Sequence, residues 1–358
     1  MRYIIVGTGA VGGTVGGRLA EAGHEVVLVA RGAQYAALRE GGLRLTTPEG
    51  TRTHRPPVVD GPAALDLRPD DVLVLAVKTQ DSVAALDGWS ARPVAGGGTA
   101  GERLPLICAQ NGVEGERLAL RRFHRVYGCC VYLPASFVEP GRVTASGAPL
   151  TGILHLGRYP AGTDDTVRAV AGDWEKARLE APVVPDVMRW KYAKLLSNLA
   201  NAIEAVTGVL DTPEAFDLFG RARAEGRRVL EAAGVDPVGT EEQDAARGGR
   251  IRFDPFDGSE RVGGSSWQSL SRGTGTIEAD HLNGEIVLLG RLHGVPTPVN
   301  DVLRRTANAF ARERRAAGSM TVAELGALVD AESGSAPGGS PGPGQALIAP
   351  DTGRRASS

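Results

Sequence analysis

Through the first half of the chain, short apolar runs alternate with stretches of helical spacing. The runs are Arg2 to Val6, Glu25 to Ala30, Asp71 to Val77, Leu104 to Ala109, Val126 to Leu133 and Ile153 to Leu156. Strands separated by helices predict βαβ units, hence an open doubly wound sheet of α/β type whose ligands bind beyond the carboxyl ends of the strands. Lys78, Gln110 and Asn111 follow two of those ends directly. The segment Ala95 to Gly101 is glycine-rich and reads as a flexible surface loop.

After about Pro185 the pattern becomes purely helical. Helices are expected over Val187 to Val206, Pro213 to Ala233, Ile277 to Leu292 and Pro298 to Ala316, with Gly294 and Pro296 closing the third. From about Asp330 the chain turns to Gly, Pro and Ser, a composition unable to bury enough apolar surface to offset its ordering entropy. The expected division is a nucleotide-binding domain over 1–184, an all-α domain over 185–329 and a disordered tail over 330–358. An antiparallel helical domain can also supply a homodimer interface.

The first apolar run ends in Gly7-Thr8-Gly9-Ala10-Val11-Gly12 and opens into a helical stretch. That strand–turn–helix context is what the G-x-G-x-x-G fingerprint requires. Gly7 makes the tight turn, Gly9 admits a pyrophosphate, and Gly12 lets helix and strand pack closely. The free N–H groups of the helix start suit the phosphates of a dinucleotide. At the end of the second run stands Arg31, where an NAD enzyme usually places a carboxylate for the ribose 2′-hydroxyl. A guanidinium there suits a 2′-phosphate and points to NADP.

Composition narrows the function classes. A net charge of −2, with no basic stripe interleaved with aromatics, does not indicate a nucleic-acid surface. The longest apolar runs are strand-length and no leader pattern opens the chain, so no membrane is expected and a cytoplasmic location is the default. Cys108, Cys129 and Cys130 lack metal-ligand spacing, as do the histidines, so no metal is expected. A G-x-S-x-G elbow and a G-K-[ST] loop are both missing, which argues against hydrolase and kinase readings.

Of the 40 basic residues only Lys78, Lys176, Lys191 and Lys194 are lysine. Where any cation suffices this chain uses arginine, so a lysine marks a place needing an ammonium that can release its proton. At 100° per residue, Lys191, Lys194, Asn198 and Asn201 share a helical stripe about 80° wide. Met188, Tyr192, Leu195, Leu199, Ile203 and Val206 occupy another face. A solvated stripe would more cheaply carry glutamate or arginine than two asparagines, so the stripe is expected to face a cleft.

Three motifs in this order resemble the ketopantoate reductases, the NADPH-dependent 2-dehydropantoate 2-reductases. They are the glycine turn at Gly7 to Gly12, Lys194-Leu195-Leu196-Ser197-Asn198 as K-x-x-x-N, and Glu278-Ala279-Asp280-His281-Leu282-Asn283-Gly284 as E-x-D-x-x-N-G. The resemblance spans residues 1 to 316 and leaves out the tail and the glycine insert. It implies that Lys194 is the general acid protonating the ketone of a 2-oxo acid, with Glu278 holding the lysine and the substrate hydroxyl. It further implies Asn111 beside nicotinamide and substrate, Ser266 on the substrate carboxylate, and Arg31 and Lys78 on the adenosine phosphate. The second asparagine departs from the pattern, because Asn201 follows Lys194 by seven residues rather than eight. That shift puts in question the contact of Asn201 with substrate. Two other readings stay open: a reductase of another branched 2-oxo acid or an imine, and an NADPH-binding regulator without turnover.

Overall fold

The computed structural model describes residues 1–137, 139–208, 210–252 and 263–334. The main sheet has eight strands, numbered here within that sheet: β1 Arg2–Val6, β2 Glu25–Val29, β3 Val58–Val59, β4 Asp71–Leu75, β5 Pro105–Cys108, β6 Arg125–Tyr132, β7 Gly152–Arg158 and β8 Leu179–Glu180. Their spatial order is β8-β7-β6-β5-β4-β1-β2-β3. All neighbours are parallel except β7, which runs antiparallel to β6 with Cys130 opposite His155.

The central strands are apolar at consecutive positions because both faces are covered. Tyr3, Ile5, Val72 and Val74 join a core with Val15 and Leu19 of the Ala10–Glu21 helix and Trp174 of the Asp165–Lys176 helix. Ile4, Val6, Leu73 and Leu75 face the other way, onto Leu86 and Trp89 of the Ser82–Ser90 helix. The helix over Ala10–Glu21 carries four glycines, each costing up to about 1 kcal/mol of helix propensity. Close approach explains them: a Cβ on Gly16 would come within 2.8 Å of Leu28, and one on Gly13 within 2.7 Å of Val143.

Val143 belongs to a second, four-stranded sheet that the apolar pattern did not suggest. Its strands lie in the order Gly50–His54, Leu43–Thr47, Arg142–Ala145, Ala135–Ser136. These strands are short and largely polar on one face, so their period-two signal is weak. The glycine insert is an exposed turn, as expected of a surface loop, closed by hydrogen bonds at its ends. Val94 N–H donates to Gly98 O, and Thr99 with Glu102 forms a capping box at the start of the Ala100–Arg103 turn of helix.

The second domain is helical around its own core, which includes Leu195, Leu199, Leu230, Ile286, Leu303 and Phe310. Two expected helices are broken. The first divides at Leu199 into Val187–Asn198 and Ala200–Thr207; the other opens as a 3₁₀ turn over Glu278–His281 and restarts as Asn283–His293. One strand of two residues, Ile251–Arg252, pairs with Ala148–Pro149 of the first domain, a small exception to an all-α second half. The final helix, Val322–Gly334, buries Leu325 and Val329 and carries order past the point where the tail was expected to start. The remainder of that tail, from 335 on, lies outside the described residues.

Candidate active site

The carboxyl ends of β1 and β4, together with the Gln110–Asn111 turn after β5, face the helical domain across a cleft of about 870 Å³. Gly7, Gly9, Ala10, Val11, Lys78 and Asn111 line it from the sheet side. Lys194, Asn198, Asn201 and Glu278 line it from the helical side.

The glycine turn is built as the chemistry requires. Gly7 has φ +101°, and a Cβ there would meet the backbone N of Val77 at 2.7 Å. A Cβ on Gly12 would sit 2.1 Å from Gly7 O, whereas one on Gly9 would meet nothing within 4 Å. Gly9 caps the Ala10–Glu21 helix without any side-chain hydrogen bond, so the first N–H groups remain available to an anionic group. A dinucleotide phosphate fits that opening. Thr8 and Gly12 do not line the cleft but shape the turn. The Thr8 hydroxyl donates to Val29 O at 3.1 Å, and its carbonyl accepts from Gln34 Nε2.

Arg31 stands exposed at the N-cap of the Gly32–Gly41 helix, outside the cleft lining. Among the described residues its guanidinium makes no hydrogen bond, and its field reaches Asp81 on the cleft wall. Burial and the nearby Glu278 raise the Asp81 carboxyl, against Arg31 and Lys78.

The stripe of lysines and asparagines divides. Lys194, Asn198 and Asn201 reach the cleft, but Lys191 does not. It is buried, pairs with Glu116 and donates to Gln110 O at 3.1 Å. Burial works against its ammonium, while the adjacent Glu116 carboxylate holds it protonated. Lys194 has no carboxylate partner among the described residues, and burial pushes its ammonium below the usual lysine value. Asn198 is 8% exposed and among the described residues its Nδ2 has no hydrogen-bond partner.

Asn201 lines the cleft beside Lys194 and Asn198, as the shared stripe expects, since seven residues turn a helix through about 700° and bring the side chain back to within about 20° of Lys194. Asn283, the asparagine of E-x-D-x-x-N-G, donates from Nδ2 to Leu199 O at 3.2 Å and to Asn300 Oδ1 at 3.1 Å. Asp280 of the same motif pairs with Arg304 at 3.0 Å, so the motif is largely a scaffold for Glu278.

Glu278 does not meet Lys194 in this structure. Its partners are Lys78 at 2.5 Å and the N–H and hydroxyl of Thr79 at 3.1 and 3.2 Å. Burial alone would raise its carboxyl, but Lys78 and the Thr79 donors outweigh that and hold it below the ordinary value. Ser266 is buried and is not among the lining residues, while its neighbour Ser265 is. Adjacent helical positions stand 100° apart, so only one of the pair faces the cleft. Ser265 Oγ is buried without a partner among the described residues. Gln268 and Arg272 also line the cleft and were missed, although Ser265, Gln268 and Arg272 are spaced i, i+3, i+7, one helical face. Among the described residues no group of three or more His, Cys, Asp or Glu is placed to hold a metal, and no helix is long and apolar enough to cross a membrane.

Comparison with known proteins places these features in a family. The ketopantoate reductase PanE/ApbA model matches residues 3–161, and its C-terminal counterpart matches residues 186–311. A 2-dehydropantoate 2-reductase of Mesorhizobium japonicum is 31% identical over 345 residues, covering 88% of this chain and 99% of the relative. The crystal structure of a PanE/ApbA family ketopantoate reductase from Ralstonia eutropha superposes with a TM-score of 0.72 at 27% identity, over 88% of this chain and 100% of that one. The ternary structure of D-mandelate dehydrogenase with NADH and anilino(oxo)acetate has a TM-score of 0.74 at 20% identity over the same shares, a likeness of fold.

Proposed function

The chain belongs to the ketopantoate reductase family, and from that premise we propose that it reduces a 2-oxo acid with NADPH, 2-dehydropantoate to pantoate, as a cytoplasmic enzyme of pantothenate synthesis. The observation that carries the reading is one cleft holding both an uncapped helix start at Gly9 and a partly buried ammonium, Lys194, that no carboxylate neutralises among the described residues.

In this reading the N–H groups of Ala10 and Val11 would hold the pyrophosphate, Arg31 would face the adenosine phosphate while Lys78 stays on Glu278, and Asn111 would lie on the nicotinamide side. Bound there, the reduced nicotinamide supplies the hydride. Lys194 donates a hydrogen bond to the ketone oxygen and gives up its proton from Nζ as the carbon is reduced, leaving a hydroxyl. An ammonium so placed both polarises the carbonyl and cancels the developing alkoxide charge. The unpartnered amide of Asn198 and that of Asn201 orient the substrate. Glu278, kept ionised by Lys78, accepts from the substrate hydroxyl, and Ser265, the serine of the pair that lines the cleft, receives the carboxylate.

NADPH oxidation followed by absorbance tests the proposal, with purified protein and a panel of 2-oxo acids. Turnover confined to 2-dehydropantoate supports it. Turnover only on another branched 2-oxo acid or an imine moves the substrate, and binding of NADPH without oxidation of any panel member moves the chain to a regulatory role.

A further inference from the structure

Where Lys194 lacks a carboxylate it has an aromatic ring. Its Nζ lies 4.8 Å from the centroid of the Tyr132 ring, at the end of β6. The guanidinium carbon of Arg247 lies 4.4 Å from that same centroid. Arg247 ends the Thr240–Arg247 helix, and Gln243, one turn earlier, ties the group together. Gln243 Oε1 accepts from the Tyr132 hydroxyl at 3.2 Å and from Arg247 Nη2 at 3.4 Å, while its Nε2 donates to Val238 O at 3.1 Å. Tyr132 and Arg247 are both absent from the cleft lining, so they reach Lys194 without competing for substrate.

The two neighbours act on the ammonium in opposite senses. An aromatic face attracts a cation through its quadrupole, more strongly away from water, and so favours the charged lysine. A nearby guanidinium repels it and favours release of the proton. The other groups facing Lys194 are Cys129 and Cys130 of β6 and Lys191 on its own helix. Burial pushes both thiols up, so they stay neutral, and Lys191 is matched by Glu116. Arg247 is thus the cation beside Lys194 that no carboxylate balances among the described residues.

We propose that Tyr132 and Arg247 are positioning residues for the reduction, the ring fixing the Lys194 ammonium in place and the guanidinium easing its proton off. The inference rests on Lys194 being the proton donor. A ring alone would hold the charged form too firmly for an effective acid, and repulsion alone would let the side chain swing away. The pair gives a fixed amine whose proton leaves nearer to working pH, the condition for efficient general acid catalysis.

Two readouts on the full-length protein test this. One is the pH profile of kcat; the other, free of turnover, is the pH dependence of Lys194 labelling by acetic anhydride, read by peptide mass spectrometry, since only the neutral amine reacts. Arg247→Met keeps bulk and removes charge, and is expected to raise the apparent Lys194 pKa by about half to one unit. Tyr132→Leu is expected to lower it by about the same amount, and Tyr132→Phe, which keeps the ring, to match wild type. Shifts of equal sign for Arg247→Met and Tyr132→Leu, no shift in either, or a Tyr132→Phe as perturbed as Tyr132→Leu would overturn the proposal. Should Tyr132→Leu not fold, the Arg247→Met shift alone decides. A wild type that turns over no 2-oxo acid defeats the functional reading instead, and the labelling still reports whether ring and guanidinium tune the amine.

Discussion

Glu278 reaches from the helical domain to Lys78 just beyond β4, with 2.5 Å between Oε2 and Nζ, so one wall of the cleft is pinned to the other by charge. The carboxyl lies below its usual value of 4.5 in the folded protein, because Lys78 and Thr79 outweigh the cost of burial. A folded value below the unfolded one means stability that is present above the unfolded value and lost as pH falls through the folded one. Wild type is therefore expected to melt above Glu278→Gln at neutral pH, and the two to converge as the pH drops beneath the ordinary carboxylate range. Thermal melts across that range check it; a gap that stays constant with pH would show that Glu278 is not ionised by its partners.

Lys194→Ala should lower kcat by about two to four orders of magnitude, the usual contribution of a general acid, while NADPH affinity stays near wild type. Steady-state kinetics together with NADPH titration separate the two. An equal loss in binding and turnover would make the lysine a structural element of the cleft.

Arg31→Ala should narrow the preference for NADPH over NADH by roughly ten- to a hundredfold, the range expected from losing a charge-assisted contact of about 1.5 to 3 kcal/mol. Arg31 is exposed and makes no hydrogen bond among the described residues, so its loss is expected to leave thermal stability unchanged. The ratio of kcat/KM for the two nucleotides is the measurement, and an unchanged ratio removes the assignment of NADP.

Much of this arrangement was legible in the chain because it is local. The run Tyr3 to Val6, the turn at Gly7 to Gly12 and the spacing from Lys194 to Asn198 each lie within one or two elements, and the structure places Gly7, Gly9, Lys194 and Asn198 around one cleft. What was not legible depends on contacts far apart in sequence. Lys191 and Lys194 look alike on a helical wheel, and only Glu116, 75 residues away, makes the first a buried anchor. The Leu199 carbonyl, where the helix divides, accepts from an amide 84 residues on, at Asn283, and the choice of Lys78 as partner for Glu278 spans 200 residues. Arg272 was hidden for a different reason: in a chain rich in arginine, one more carries no signal until its helical face is known.

The Lys191–Glu116 pair yields the most demanding prediction. Both side chains are almost fully buried, at 2% and 0% exposed, and among the described residues Glu116 Oε2 has no partner of its own. Removing one member leaves the other as an unpaired buried charge, which typically costs about 3 to 5 kcal/mol, whereas removing both in favour of apolar groups of similar size is often neutral. Lys191→Met and Glu116→Leu should each destabilise the protein by that amount in urea unfolding, and the double variant should recover most of the loss. Because Lys191 sits one turn before Lys194, the single variants should also depress kcat more than KM, and the double variant should regain stability before it regains rate. If the double variant is as unstable as the sum of the singles, the two side chains act independently and the pair does not anchor the catalytic helix to the sheet.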